Sequence, residues 1–310
     1  LPISNDLVLA RLGTRVLDGS GNVTSVVGDS LELRALASQL GVVLAPSLLT
    51  PADTLGLSGI QLSLIGGQTS ISASEDYWRA RAGSPDPAGA GGVAHGPSGL
   101  RTIGAALHKG LWFPLPSFEL GVGAVHLLDS SIWAVQASAK LALVEGYHDL
   151  PLPSLAVRGA VSRMMNQREL DLTVASFEAL VSKHFGVGGT WRLDPFAGWN
   201  LLMIIPRTAV IEGTPNVDPL TMGSEMDLRN NFVFRDQDAI FRHRLVGGVK
   251  LQLDVVQLTV EVQHALAGRS RDDRAGTTDV CAPRSTTTAC DSPDTAAAQT
   301  TVSASAGFDF

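Results

Sequence analysis

Charge is scarce in this chain. Only 17% of its 310 residues are Asp, Glu, Lys or Arg, and the formal net charge is −7. That fraction is low for a water-soluble protein of this length, and the acidic balance leaves no electrostatic footprint for nucleic acid. Long apolar runs are lacking too. No stretch reaches the roughly 18 residues that a membrane-spanning helix needs. Yet the mean hydropathy is +0.18. A bilayer is otherwise crossed only by a closed barrel, because every backbone polar group must be paired inside lipid. Alternation of lipid-facing and lumen-facing residues spreads mild hydrophobicity in this way.

Cysteine is nearly absent. Cys281 and Cys290 are the two in the chain, in a polar loop whose nearest histidine, His264, belongs to the preceding strand. The expectation is a disulfide in an oxidising compartment, not a metal site. The sequence also lacks a Gly-x-Ser-x-Gly elbow, a His-Glu-x-x-His helix and a Gly-rich phosphate loop. The chain is therefore expected not to be an enzyme and to hold no cofactor or metal. His126 and Asp129 are the pair an enzyme would use near the outer rim, but parity turns His126 and His264 toward lipid. The loop from Arg269 to Ala298 carries Asp272, Asp273, Asp279, Asp291 and Asp294 without EF-hand spacing, and reads as solvated surface. No basic and apolar leader precedes Leu1, so any signal peptide is expected to have been removed.

What the sequence has is period-two alternation. Ile60, Leu62 and Leu64 alternate with Gln61 and Ser63; Ile103, Ala105 and Leu107 with Thr102, Gly104 and His108. Phe118 to His126, Trp133 to Leu143, Leu155 to Val161, Leu170 to Val181 and Phe196 to Ile205 continue the pattern, with a phase slip that predicts a bulge near Ala175. Phe241 to Leu251 and Val256 to Val262 predict a hairpin turning at Asp254, and Val302, Ala304, Ala306, Phe308 and Phe310 mark the final strand. This gives about ten strands, with twelve as the upper count. The links near 109–116, 146–153, 186–195 and 253–255 are short, whereas those near 75–99, 209–235 and 268–295 are long. That partition predicts periplasmic turns on one side and outer loops on the other.

Aromatics are expected in two interfacial girdles: Trp112, Phe113, Tyr147, Phe185, Trp191, Phe196 and Phe310 below, and Tyr77, Trp78, Trp133, Phe232 and Phe234 above. Residues 1–54 read differently. Ser30 to Leu40 predicts a short helix with Ser30 as N-cap and Gly41 as stop signal, followed by a connector through Pro46 and Pro51. Leu7 to Val27 is irregular or a small hairpin. The expected organisation is a periplasmic or lumenal segment over 1–54 and a transmembrane barrel over 55–310.

The alternation, the loop asymmetry and the terminal Phe308-Asp309-Phe310 make the chain resemble bacterial outer-membrane β-barrel proteins over about four-fifths of its length, Leu55 to Phe310. The resemblance implies an all-β fold, a closed antiparallel transmembrane barrel located in the bacterial outer membrane. It implies contact with outer-membrane lipid and lipopolysaccharide, and reading of Phe308 and Phe310 by the barrel assembly machinery. The expected lumen-facing set is Glu119, Gln136, Lys140, Arg158, Glu178, Arg242, Arg244, Lys250, Gln257, Glu261 and Gln263. Either these line a porin-like path with anion preference near Arg242 and Arg244, or they pair to fill the interior. A cross-strand ion pair is expected between Arg244 and Glu261. The leading expectation is a narrow channel or transporter for small or hydrophobic solutes. The alternative is a structural or interaction protein with a filled lumen, binding a protein partner through its outer loops or N-terminal segment.

Overall fold

A computed structural model describes residues 4–84, 98–112, 117–145, 152–212, 231–268 and 296–310. Among these, no helix is long and apolar enough to cross a membrane. The strands do so instead. Ten of them close a single antiparallel ring: β3 (Ile60–Ser70), β4 (Gly99–Leu111), β5 (Phe118–Leu127), β6 (Trp133–Val144), β7 (Ser154–Met165), β8 (Leu170–Ser182), β10 (Trp191–Thr208), β11 (Ile240–Leu253), β12 (Val256–Ala265) and β13 (Gln299–Asp309). Each pairs with the next, β10 pairs with β11, and β13 returns to β3 with Thr301 opposite Thr69. No sheet edge is left open in the ring, which is the condition for standing in lipid. Its long connections, 71–98, 209–239 and 266–298, share one end, which the loop-length asymmetry of such barrels marks as outer.

The outward face is apolar. Leu64, Ile103, Val122, Val161, Phe177, Leu245, Val260 and Val302 are all exposed on it. Outward cations sit at the rims: Arg163 pairs with Asp171 at 2.7 Å, and Lys183 donates to the Leu152 carbonyl. Trp112, Trp133, Phe185, Trp191 and Phe310 are exposed as a girdle requires. Others correct the expectation. Tyr77, Trp78, Phe232 and Phe234 are buried in an apolar core at the outer end, and Phe196 is buried inside the ring. Phe113 and Tyr147 lie outside the described residues.

Two strand expectations are revised. No register shift interrupts β8 in either of its pairings. Its even-numbered residues face inward throughout; the run changes from Leu170, Leu172 and Val174 to Ser176 and Glu178 because the outer part of the interior is itself apolar. The expected link 186–195 is largely a hairpin, β9 (Phe185–Val187) against the start of β10. Gly188 and Gly189 turn it, both in the left-handed region with φ +62° and +76°.

The first 54 residues begin with a hairpin, β1 (Gly13–Leu17) and β2 (Val23–Gly28), at the outer end. Helix α1 (Ser30–Leu44) follows, capped by Asp29, whose carboxylate accepts from the Glu32 amide at 3.1 Å. The helix ends at Ala45 because Pro46 forces its predecessor into extended geometry. Gly41 is not a stop. A Cβ there would lie 2.6 Å from Cδ1 of Ile204 on β10, so glycine lets the helix lie against the wall.

Candidate functional site

The ring is not empty. The chain enters at the outer end, runs down the lumen as α1, continues through an extended connector and leaves at the periplasmic end to start β3. At the top, Asn5 donates to the Leu128 carbonyl, the Leu9 amide to Glu169 and Arg11 to the Arg81 carbonyl. Leu33, Leu36 and Leu40 of α1 pack with Leu170, Leu172, Val174, Leu202 and Ile204 of the wall. The outer half of the interior is therefore an apolar core. Arg242 belongs to this level: it bonds the Leu266 and Ala297 carbonyls and Ser38 on α1.

Below Leu44 the lumen becomes polar and takes the connector largely by its main chain. The Leu44 carbonyl accepts from Gln136 and Ser162, Pro46 from Arg244, and Ser47 and Leu48 from Arg158. Glu261 accepts from the amides of Leu48 and Leu49, the latter at 2.7 Å, and Gln263 bonds Glu261. Lys140 donates to the Pro51 and Asp53 carbonyls and pairs with Glu119 at 3.1 Å. Glu119 also meets His108 and the Leu55 amide. Glu178 pairs with Arg158 at 2.5 Å and accepts from Ser176 and Asn200. Lys250 pairs with Asp309 at 2.7 Å. Gln257 is buried with no hydrogen bond to either side-chain atom among the described residues.

Two expectations change here. Arg244 and Glu261 do not form a direct ion pair, because the register sets Glu261 opposite Gly248 and Arg244 opposite Ala265. Each meets the connector backbone instead. Nor do Arg242 and Arg244 face a free anion path, since carbonyls of the chain itself occupy their guanidinium groups. His108, Asn200 and Asp309 also belong to the lumenal set and are missing from the expected one, although parity alone places each beside an inward neighbour. Cys281 and Cys290 lie outside the described residues. Phe308 and Phe310 stack outside the barrel at 6.2 Å between centroids, and Phe310 exchanges backbone bonds with Ile60. His126 and Asp129 are not assembled as a reactive pair: His126 stacks on Trp133, and Asp129 meets Arg101 at 3.6 Å.

At the periplasmic mouth His184 sits between Asp53 of the connector and Asp194 of β10, with Arg192 beside it. Burial pulls the His184 imidazole down, but its bonds to Asp194 and Asp53 outweigh this and hold it above its ordinary value. Burial pushes Asp53 up, but bonds from His184 and Ser154 outweigh this and hold it below the usual carboxylate value.

No protein-family model and no curated protein matches the chain. Solved structures of similar fold include Ail, the attachment invasion locus protein of Yersinia pestis, solved with the heparin analogue sucrose octasulfate (6% identity, 82% of this chain and 99% of that one, TM-score 0.27). LpxR from Salmonella typhimurium aligns at 10% identity over 79% and 99% of the two chains, TM-score 0.33. The Acinetobacter baumannii outer membrane protein Omp33 aligns at 8% over 81% and 99%, TM-score 0.26. These likenesses are too distant to carry residues or roles across. LpxR in particular aligns too distantly to assign or to exclude an activity, and the expectation that the chain is not an enzyme is withdrawn. The closed ring and its apolar exterior make the chain a transmembrane antiparallel β-barrel, the architecture of bacterial outer-membrane barrels.

Proposed function

We propose that this barrel is a transporter for small or hydrophobic solutes, held closed by its own N-terminal segment and opened when the connector leaves the lower lumen. The observation that carries the reading is the contrast between the two halves of the interior. The outer half is filled by apolar packing. The lower half buries Glu119, Lys140, Arg158, Glu178, Arg244 and Glu261. Desolvating charges offsets much of what their pairing gains, so an apolar filling would serve better for a permanent stopper. A polar wall suits a tract that is sometimes hydrated.

Conductance of the full chain in a planar bilayer tests this. Wild type should show rare, small openings. Glu261→Ala, which removes the acceptor for Leu48 and Leu49, should open the barrel more often. An Ala52→Cys/Ser182→Cys cross-link, at the site where the Ala52 amide meets Ser182, should silence it. No current from the Glu261 variant would defeat the reading. A second reading, a surface-interaction barrel, is favoured by the β1–β2 hairpin, whose tip leaves Leu17 57% exposed at the outer end. Binding to cells or matrix that is lost in Leu17→Asp, with conductance unchanged, would support it.

A further inference from the structure

From Leu44 to Leu55 the wall contacts the connector as a backbone, with little regard to its side chains. Carbonyls of residues 44, 46, 47, 48, 51 and 53 accept from Gln136, Ser162, Arg244, Arg158 and Lys140. Amides of 48, 49, 52, 54 and 55 donate to Glu261, Ser182, Glu145 and Glu119. Donors and acceptors are thus both supplied, by ionised or polar groups anchored on facing strands. Pro46 and Pro51 have no amide that would need a partner.

The side chains contribute less. The Thr50 hydroxyl is buried without a hydrogen bond among the described residues. Ser47 and Thr50 border a small cavity of about 30 Å³ whose far wall is the small side chains and glycines of Ala106, Gly121, Gly123 and Ser138. The exceptions are at Leu48 and Ala52, which enter an apolar pocket formed by Ala142, Ala156, Leu180, Phe196 and Val246, and at the mouth, where Asp53 and Thr54 bond His184 and Glu145. A main chain held on both sides with one aliphatic anchor is the pattern of extended-peptide recognition, in which backbone bonds give affinity and a pocket gives limited specificity.

We propose that the lower lumen is a binding tract for extended polypeptide, recognised through its main chain and one aliphatic side chain, with Leu44–Leu55 as the resident occupant. The vacated tract then takes an unfolded peptide segment in addition to the solutes proposed above. The proposal rests on the reading that the lower lumen can be vacated.

Two measurements on the reconstituted full chain decide it. The first is amide hydrogen exchange of the connector, which reports whether its backbone is docked. Ser47→Ala/Thr50→Val, which removes both hydroxyls without adding bulk, should leave connector protection at the wild-type level, whereas Arg158→Met should speed exchange by about tenfold or more. Loss of protection in the Ala/Val variant, with barrel strands still protected, would overturn the proposal.

The second measurement uses Leu48→Asp, which unseats the connector and leaves the charged wall intact. A synthetic unstructured peptide of unrelated sequence, with a single leucine, should block its current. The same peptide with N-methylated backbone amides should block about tenfold more weakly. Equal blocking by both peptides would overturn backbone recognition. If Leu48→Asp passes no current, the transporter reading falls, and hydrogen exchange alone then decides whether the tract holds its occupant by the main chain.

Discussion

At the scale of single residues, the interior is organised by charges that face the chain's own backbone. Arg158 is the centre of this arrangement, joining Glu178 to the carbonyls of Ser47 and Leu48. Arg158→Met should lower barrel stability by about 3–5 kcal/mol, because Glu178 is left buried without its counter-charge. Denaturant midpoints of the variant, and of a compensating Arg158→Met/Glu178→Leu pair expected to recover most of the loss, check this. Gly41 is constrained by space: Gly41→Val should cost about 1–3 kcal/mol by pressing α1 away from Ile204. The mouth supplies a pH dependence. His184, raised above its ordinary value, contributes stability that is fully present below its unfolded value and lost as pH rises through its folded one. Asp53, lowered, contributes stability that is present above its unfolded value and lost as pH falls through its folded one. The lower connector should therefore be held most firmly between those two limits. Protection of the amides of residues 52–55, with the intrinsic base catalysis of exchange divided out, should fall on the alkaline side in wild type, and that fall should vanish in His184→Gln.

At the scale of elements, α1 depends on its cap and on its surroundings. Asp29→Ala should cost about 1 kcal/mol and fray the first turn, as exchange of the Glu32 amide would show. The helix also shows what the sequence conceals. From Leu33 to Leu44 every residue is buried, so no polar face marks its orientation and the apolar spacing is blurred. Gly41 reads as a stop because its close neighbour, Ile204, is 163 positions away. The ten strands are legible because lipid demands an apolar outer face at every second residue, regardless of what lies inside. The inner face is legible only in its lower half. At Leu170, Leu172 and Val174 it is as apolar as the outer one, since it packs on α1, and an uninterrupted strand then imitates a phase slip. Tyr77, Trp78, Phe232 and Phe234 mislead for the same reason: an apolar core at a barrel end has the composition of an interfacial girdle. The contacts of Glu261 and Arg244 are hidden because their counterparts are backbone groups, which carry no signal in the sequence.

At the scale of the whole molecule, the barrel is a ring with its own leading segment passed through it. The apolar upper half fixes α1, and the polar lower half holds the connector by hydrogen bonds that water can replace when the tract is hydrated. Opening should therefore begin below Leu44. Conductance should rise with Glu261→Ala while hydrogen exchange of α1 stays slow; a rise in conductance together with fast exchange of α1 would show that the segment leaves as one piece. The path of the chain also imposes an order in time. The seam joins β3, which follows directly on the connector, to β13, the last strand of the chain. Once Thr69 and Thr301 are side by side, the folded hairpin and its neighbours at the outer end have no wide route back through the bore. Protection of the connector from protease during assembly should consequently appear no later than pairing of β3 with β13. A chain that sealed first would carry its leading segment on the wrong side of the membrane for good.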